Sequence, residues 1–154
     1  MKRLRVYAGT SVFGGVFDDE FRVPSEKFFE EIRKGRFALV TSAVVQAEID
    51  PAPDQVKQLF DEMLAIAELI DVTEEALRLR DAYLGAKIVS AKYSDDALHV
   101  ALATVSECSL IVSWNFRHIV HFEKIPMYNA VSTLHGYKGI DIFSPLEVIY
   151  YEED

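Results

Sequence analysis

The stretch Phe37-Ala38-Leu39-Val40-Thr41-Ser42-Ala43-Val44-Val45-Gln46-Ala47-Glu48-Ile49 decides the architecture of this chain. Residues 37–41 are a short apolar run rich in β-formers, the pattern of a strand covered on both faces, and 42–49 continues as a helix. Working outward, 4–8 (Leu-Arg-Val-Tyr-Ala) and 110–114 (Leu-Ile-Val-Ser-Trp) are runs of the same kind. Helical segments are predicted at 25–34, 54–70, 73–83 and 94–106, where apolar residues recur at three-to-four spacing. Leu59, Met63, Ile66 and Leu69 or Ile70 make the clearest stripe. Asp50-Pro51-Ala52-Pro53-Asp54 ends one helix and opens the next, because proline cannot continue a helix but is tolerated at its start. Beyond His121 the pattern gives a helix near 128–134, a turn at Gly136 and Gly139, and a last strand at 140–143. Strand alternating with helix predicts an α/β fold with a mostly parallel central sheet covered on both faces. No repeat, low-complexity tract or linker divides the sequence, so 1–154 is read as a single domain.

Composition bounds the rest. Half of the 154 residues are hydrophobic, with ten Phe and seven Tyr, enough to build a core and to exclude a disordered or collagen-like chain. The single cysteine, Cys108, forms no internal bridge, and a reducing cytoplasm is the expected location. The longest apolar stretch, 97–105, is interrupted by His99 and falls short of the roughly 18 residues of a membrane span, so no membrane association is expected. The basic start followed by residues 6–17 imitates a signal peptide. Its glycines and hydroxyls, and Asp18-Asp19-Glu20 where a cleavage site would stand, argue against that reading. A formal charge of −9 disfavours nucleic-acid binding through a global positive field, although local basic patches remain available. Those at Lys2/Arg3/Arg5, Arg33/Lys34/Arg36, Arg78/Arg80 and Lys87/Lys92 read either as solvated faces or as flanks for a polyanion.

In open α/β sheets, ligands collect beyond the C-terminal ends of the strands. That rule selects Gly9-Thr10-Ser11, Glu48, Asp96 and Asn115. Glu48 stands in an otherwise apolar run, where a carboxylate is costly unless paired; its other reading is the exposed outer face of the helix. Asp95-Asp96 after Ser94, an expected N-cap, read either as compensation of the helix dipole or as ligands. His99 shares a face with Asp96 and reads as a packed, hydrogen-bonded histidine or as an orienting group. His118 and His121 have a metal-site spacing but no third ligand in sequence, and Cys108 reads as a buried thiol. Phe28 and Phe29 read as core. Phosphate-loop, dinucleotide, serine-elbow and zinc-protease motifs are missing from the sequence.

Taken together, residues 6–15 (Val-Tyr-Ala-Gly-Thr-Ser-Val-Phe-Gly-Gly), 42–48, Ser94-Asp95-Asp96-Ala97-Leu98-His99-Val100-Ala101 and Val112-Ser113-Trp114-Asn115-Phe116 resemble the PIN-domain family. The ending, from Gly136-Tyr137-Lys138 to Ser144-Pro145-Leu146-Glu147, is similar to its VapC-like branch. The resemblance spans essentially the whole chain. It implies a three-layer α/β/α domain, typically homodimeric, whose acidic pocket binds magnesium or manganese and cleaves RNA, often as a toxin held by an antitoxin protein. Hard divalent ions want oxygen ligands, and a metal-bound water is the nucleophile such chemistry needs. Carried over residue by residue, Glu48 matches the acid after the second strand, and Asp96 the acid of the Asp-Ala-x-His helix. Asn115 matches the position after Trp, where Asp is common, and Thr10 the hydroxyl residue of the first motif.

One position departs from the pattern. The family has Asp where this sequence has Gly9, and that Asp is a central metal ligand. The implied pocket falls to Glu48 and Asp96 with neutral Asn115, which weakens magnesium or manganese binding. Two expectations follow: a metal-dependent endoribonuclease inactivated at Gly9, or a non-catalytic nucleic-acid- or protein-binding module on the same fold.

Overall fold

The computed structural model describes residues 3–152; Lys2 of the first basic cluster lies outside them. Five strands, β1 (Leu4–Ala8), β2 (Phe37–Ser42), β3 (Glu68–Ile70), β4 (Leu110–Val112) and β5 (Asp141–Phe143), form one sheet in the order β3-β2-β1-β4-β5. All four pairings are parallel, with Leu4 opposite Phe37, Val6 opposite Leu110, Val40 opposite Glu68 and Leu110 opposite Asp141. Right-handed crossovers of this type leave no hairpin, so the connecting helices must cover the sheet.

Those helices are α1 (Thr10–Gly15), α2 (Arg22–Arg33), α3 (Ala43–Ile49), α4 (Asp54–Leu64), α5 (Glu74–Gly85), α6 (Ser94–Val105), α7 (Lys124–Leu134) and the short α8 (Pro145–Val148). Helix α1 packs on α2, α3 and α4, while α5 packs on α6 and α7, giving two helical groups that flank the sheet. β1, at the centre, has Val6, Tyr7 and Ala8 fully buried. Phe13 packs against Phe29 and Phe60 with ring centroids 4.9 and 5.3 Å apart, and Phe28 and Phe29 are core residues as expected. Among the described residues no helix is long and apolar enough to cross a membrane.

Three sequence expectations are corrected. The helix predicted over 54–70 stops at Leu64, and Glu68–Ile70 is an edge strand on β2. The stripe holds only through Met63, which is buried, whereas Ile66 and Leu69 are exposed. Ser94 is not a side-chain cap: a 3₁₀ turn at Ala91–Tyr93 runs directly into α6, and Tyr93 occupies the N-cap position with no side-chain hydrogen bond. The strand predicted over 110–114 ends at Val112, which frees Trp114 to leave the sheet. Its indole donates from Nε1 to Ser25 Oγ at 2.8 Å and stacks on Phe21. This seat requires Gly15, since a Cβ there would lie 2.6 Å from Ser25 Oγ and 2.8 Å from Trp114 Nε1.

Candidate functional site

The C-terminal ends of β1, β2 and β4 bring the selected residues together. Gly9 follows β1 and starts α1, so that Thr10 occupies its first turn. Ser42 ends β2 and caps α3 by accepting from Val45 N at 3.2 Å, which fixes the helix that carries Glu48. Thr10 Oγ1 donates to Glu48 Oε1 at 3.1 Å. The same carboxylate oxygen is bound by His99 Nε2 from α6. His99 Nδ1 lies 2.7 Å from the Tyr7 hydroxyl, which lies 2.7 Å from Ser42 Oγ. Both sequence readings of Glu48 therefore hold in part: it stands on the exposed side of α3, with 35% of its side chain accessible, yet its carboxylate is anchored from three elements. Tyr7 and Ser42 escaped the sequence reading. The available signal was one hydroxyl in a buried strand and one imidazole on a small-residue helix, two polar groups that must find partners once buried.

Asp96, half-buried in the first turn of α6, faces Asn115 from the turn after β4. That turn is held by side-chain to backbone bonds: Ser113 Oγ accepts from Asn115 N at 3.0 Å, Asn115 Oδ1 from His118 N at 2.9 Å, and Ser11 Oγ from Trp114 N at 2.9 Å. The two carboxylates are tuned in opposite directions. Burial raises Glu48, but the His99 bond and charge, together with the Thr10 hydroxyl, outweigh it and hold the carboxyl below its ordinary value. For Asp96 burial dominates and pushes the carboxyl up, against the smaller lowering effects of Asn115, His118 and His99. His99 is thus packed and hydrogen-bonded, and the group it orients is Glu48 rather than Asp96. His118 and His121 diverge: the His118 ring packs on Tyr93, and His121 Nδ1 accepts from Glu123 N at 3.2 Å.

Gly9 is buried between Thr10 and Ser113, and its N–H donates to Val112 O at 2.9 Å. Its backbone, at φ −69° and ψ 160°, is one that any residue adopts. A Cβ would meet Ser113 Oγ at 3.4 Å and Val112 O at 3.5 Å, ordinary contact distances. Neither conformation nor space demands glycine here. The donor set present does not fit a divalent ion. Among the described residues no three His, Cys, Asp or Glu side chains gather as a metal site, and Glu48 Oε1 is already taken by His99 and Thr10.

No protein-family model matches the sequence, and no curated protein matches it. Solved structures do share its fold. A chain of VapBC2 from Rickettsia felis, bound to a promoter DNA fragment, aligns with TM-score 0.59 and 14% identity over 92% of this chain and 98% of that one. DNA-bound VapBC from Salmonella typhimurium gives 0.59 and 16% identity over 92% and 98%. A toxin–antitoxin complex from Klebsiella pneumoniae gives 0.58 and 12% identity over 77% and 93%. The architecture implied by the resemblance, a VapC-like PIN fold with a parallel sheet between helices, is the one the chain has.

Proposed function

We propose that this chain is a toxin-type endoribonuclease scaffold of a toxin–antitoxin pair whose magnesium or manganese centre is incomplete at position 9. The observation that carries the reading is the convergence of Thr10, Glu48, Asp96 and Asn115 beside a buried glycine whose backbone and surroundings accept a side chain. An aspartate at that point adds the third carboxylate that the donor set lacks. Glu48 and Asp96 are then metal ligands, with Asn115 and Thr10 as neutral oxygen donors. The substrate is RNA, the location cytoplasmic and the working form a homodimer, as the family resemblance implies. An antitoxin partner is supported by the neighbours that share the fold, which are toxin–antitoxin and VapBC complexes.

A second reading has its own observation. With position 9 as glycine and Glu48 engaged by His99, the chain as it stands keeps a binding surface without a hydrolytic centre, a non-catalytic nucleic-acid- or protein-binding module. Cleavage of a mixed RNA pool in manganese by this chain and by Gly9→Asp separates the two. Cutting by the variant alone, lost again on adding Glu48→Gln, is the expected result. If neither chain cuts any RNA, the nuclease reading fails and the binding module stands. Equal cutting by both refutes the role given to position 9.

A further inference from the structure

Most cations of this acidic chain are tied to carboxylates: Arg5 to Glu68 at 2.9 Å, Lys34 to Glu30 at 2.9 Å and Arg36 to Glu31 at 2.7 Å. Lys92 and Arg117 are not; among the described residues neither has a carboxylate within ion-pair distance. Both lie instead at one aromatic ring, Tyr93, with Lys92 Nζ 5.6 Å and the Arg117 guanidinium 5.5 Å from its centroid. The His118 ring packs on the same tyrosine at 4.0 Å with an interplanar angle of 31°. Burial lowers the His118 pKa, and its two ring nitrogens are buried without partners, so it serves Tyr93 as a neutral plate.

The placement connects this cluster to the site. Tyr93 leads into α6 three residues before Asp96, and Arg117 follows Asn115 by two, so one ring ties the two segments that carry those residues. Between Arg117 and Asn115, Phe116 is 46% exposed, propped edge-on against Trp114. Two unpaired cations beside an exposed aromatic face suit a phosphate and its base, the combination by which flexible single strands are held.

We infer that Lys92 and Arg117, set by the Tyr93 ring, form a docking element for a phosphate of single-stranded RNA whose adjacent base stacks on Phe116. This rests on the RNA reading above. A rigid duplex cannot turn a base out onto Phe116, which makes the strand state part of the claim.

The test is fluorescence anisotropy of a labelled mixed-sequence 14-nucleotide RNA, single-stranded and as a duplex, titrated with the intact chain in EDTA at several salt concentrations. Lys92→Ala with Arg117→Ala is expected to raise Kd for the single strand about tenfold and to lower the salt slope by about 1.4, from roughly 0.7 per phosphate contact. Phe116→Ala weakens binding while leaving the slope unchanged. Tyr93→Phe binds like the parent and Tyr93→Leu does not, which separates positioning by the ring from any role of its hydroxyl. Lys57→Ala with Lys138→Ala, a matched loss of charge elsewhere, leaves binding intact. Equal losses in the two double variants, tighter binding of the duplex, or no binding by the parent overturns the proposal. If Gly9→Asp cuts RNA while the Lys92/Arg117 variant still binds normally, only this inference fails. Binding that depends on Lys92 and Arg117 without cutting by Gly9→Asp sinks the nuclease reading alone.

Discussion

Replacing His99 by Leu probes the framework that holds Glu48. His99 is 3% exposed and bridges the Tyr7 hydroxyl and the Glu48 carboxylate. A hydrogen bond to a charged group contributes about 1.5–3 kcal/mol, and the solvent access of Glu48 places this one near the lower figure. The Tyr7 bond adds about 0.5–1.5 kcal/mol, while Tyr7 keeps Ser42 and Glu48 keeps Thr10, so neither partner is orphaned. Leucine preserves most of the volume. The expected loss is about 2–3 kcal/mol, or roughly 4–12 °C in the melting midpoint of a domain this size. The pH dependence has a definite sign. Because the fold holds Glu48 below its ordinary value of 4.5, its stabilisation is present above that value and is lost as pH falls through the lower, folded one. The gap between parent and His99→Leu is therefore widest above about pH 5 and closes in acid. Melting curves followed by circular dichroism from pH 7 down to pH 3 measure it. An unchanged midpoint at pH 7, or a gap that stays constant into acid, would refute the network as the support of Glu48.

Asp96→Asn runs the other way. Burial raises this carboxyl in the fold, so its charged form destabilises at neutral pH and that penalty disappears as pH falls below the unfolded value of 3.8. The variant melts higher than the parent at pH 7, with an advantage that shrinks through the acid range; a lower midpoint contradicts the assignment. Cys108, buried and pushed up to about 11, reacts slowly with a disulfide reagent at pH 8 and rapidly after unfolding, and fast native labelling would place it elsewhere. Phe13→Ala removes the ring that Phe29 and Phe60 pack on and costs about 3–5 kcal/mol in urea unfolding, whereas a loss under about 1 kcal/mol would mean that this aromatic cluster is not core.

The sequence made the central strands legible because β1, β2 and β4 are buried on both faces, and continuous apolar runs record that directly. Strand β3 was hidden for the opposite reason. Glu68–Ile70 is an edge strand with exposed side chains, its pairing to Val40–Ser42 is non-local, and its Leu69 and Ile70 fell by chance into the helical stripe of α4. At the site, each residue chosen by its place after a strand or at a helix start occupies that place, since topology alone sets those positions. Partner choice was not legible: His99 was paired by helix spacing with Asp96, three residues away, yet it reaches across to Glu48, 51 residues distant. The Tyr93 cluster was equally invisible, because it joins residues from two segments that meet only after folding.

The central claim is that position 9 is the missing ligand of an otherwise assembled site. Melting midpoints of the parent and Gly9→Asp chains against manganese concentration test it most directly. A site present only in the folded state adds about 2.7 kcal/mol at a hundred times its Kd, which corresponds to roughly 5–11 °C here. The account predicts that rise for Gly9→Asp and no specific rise for the parent. An equal rise in both chains, or none in either, would contradict it.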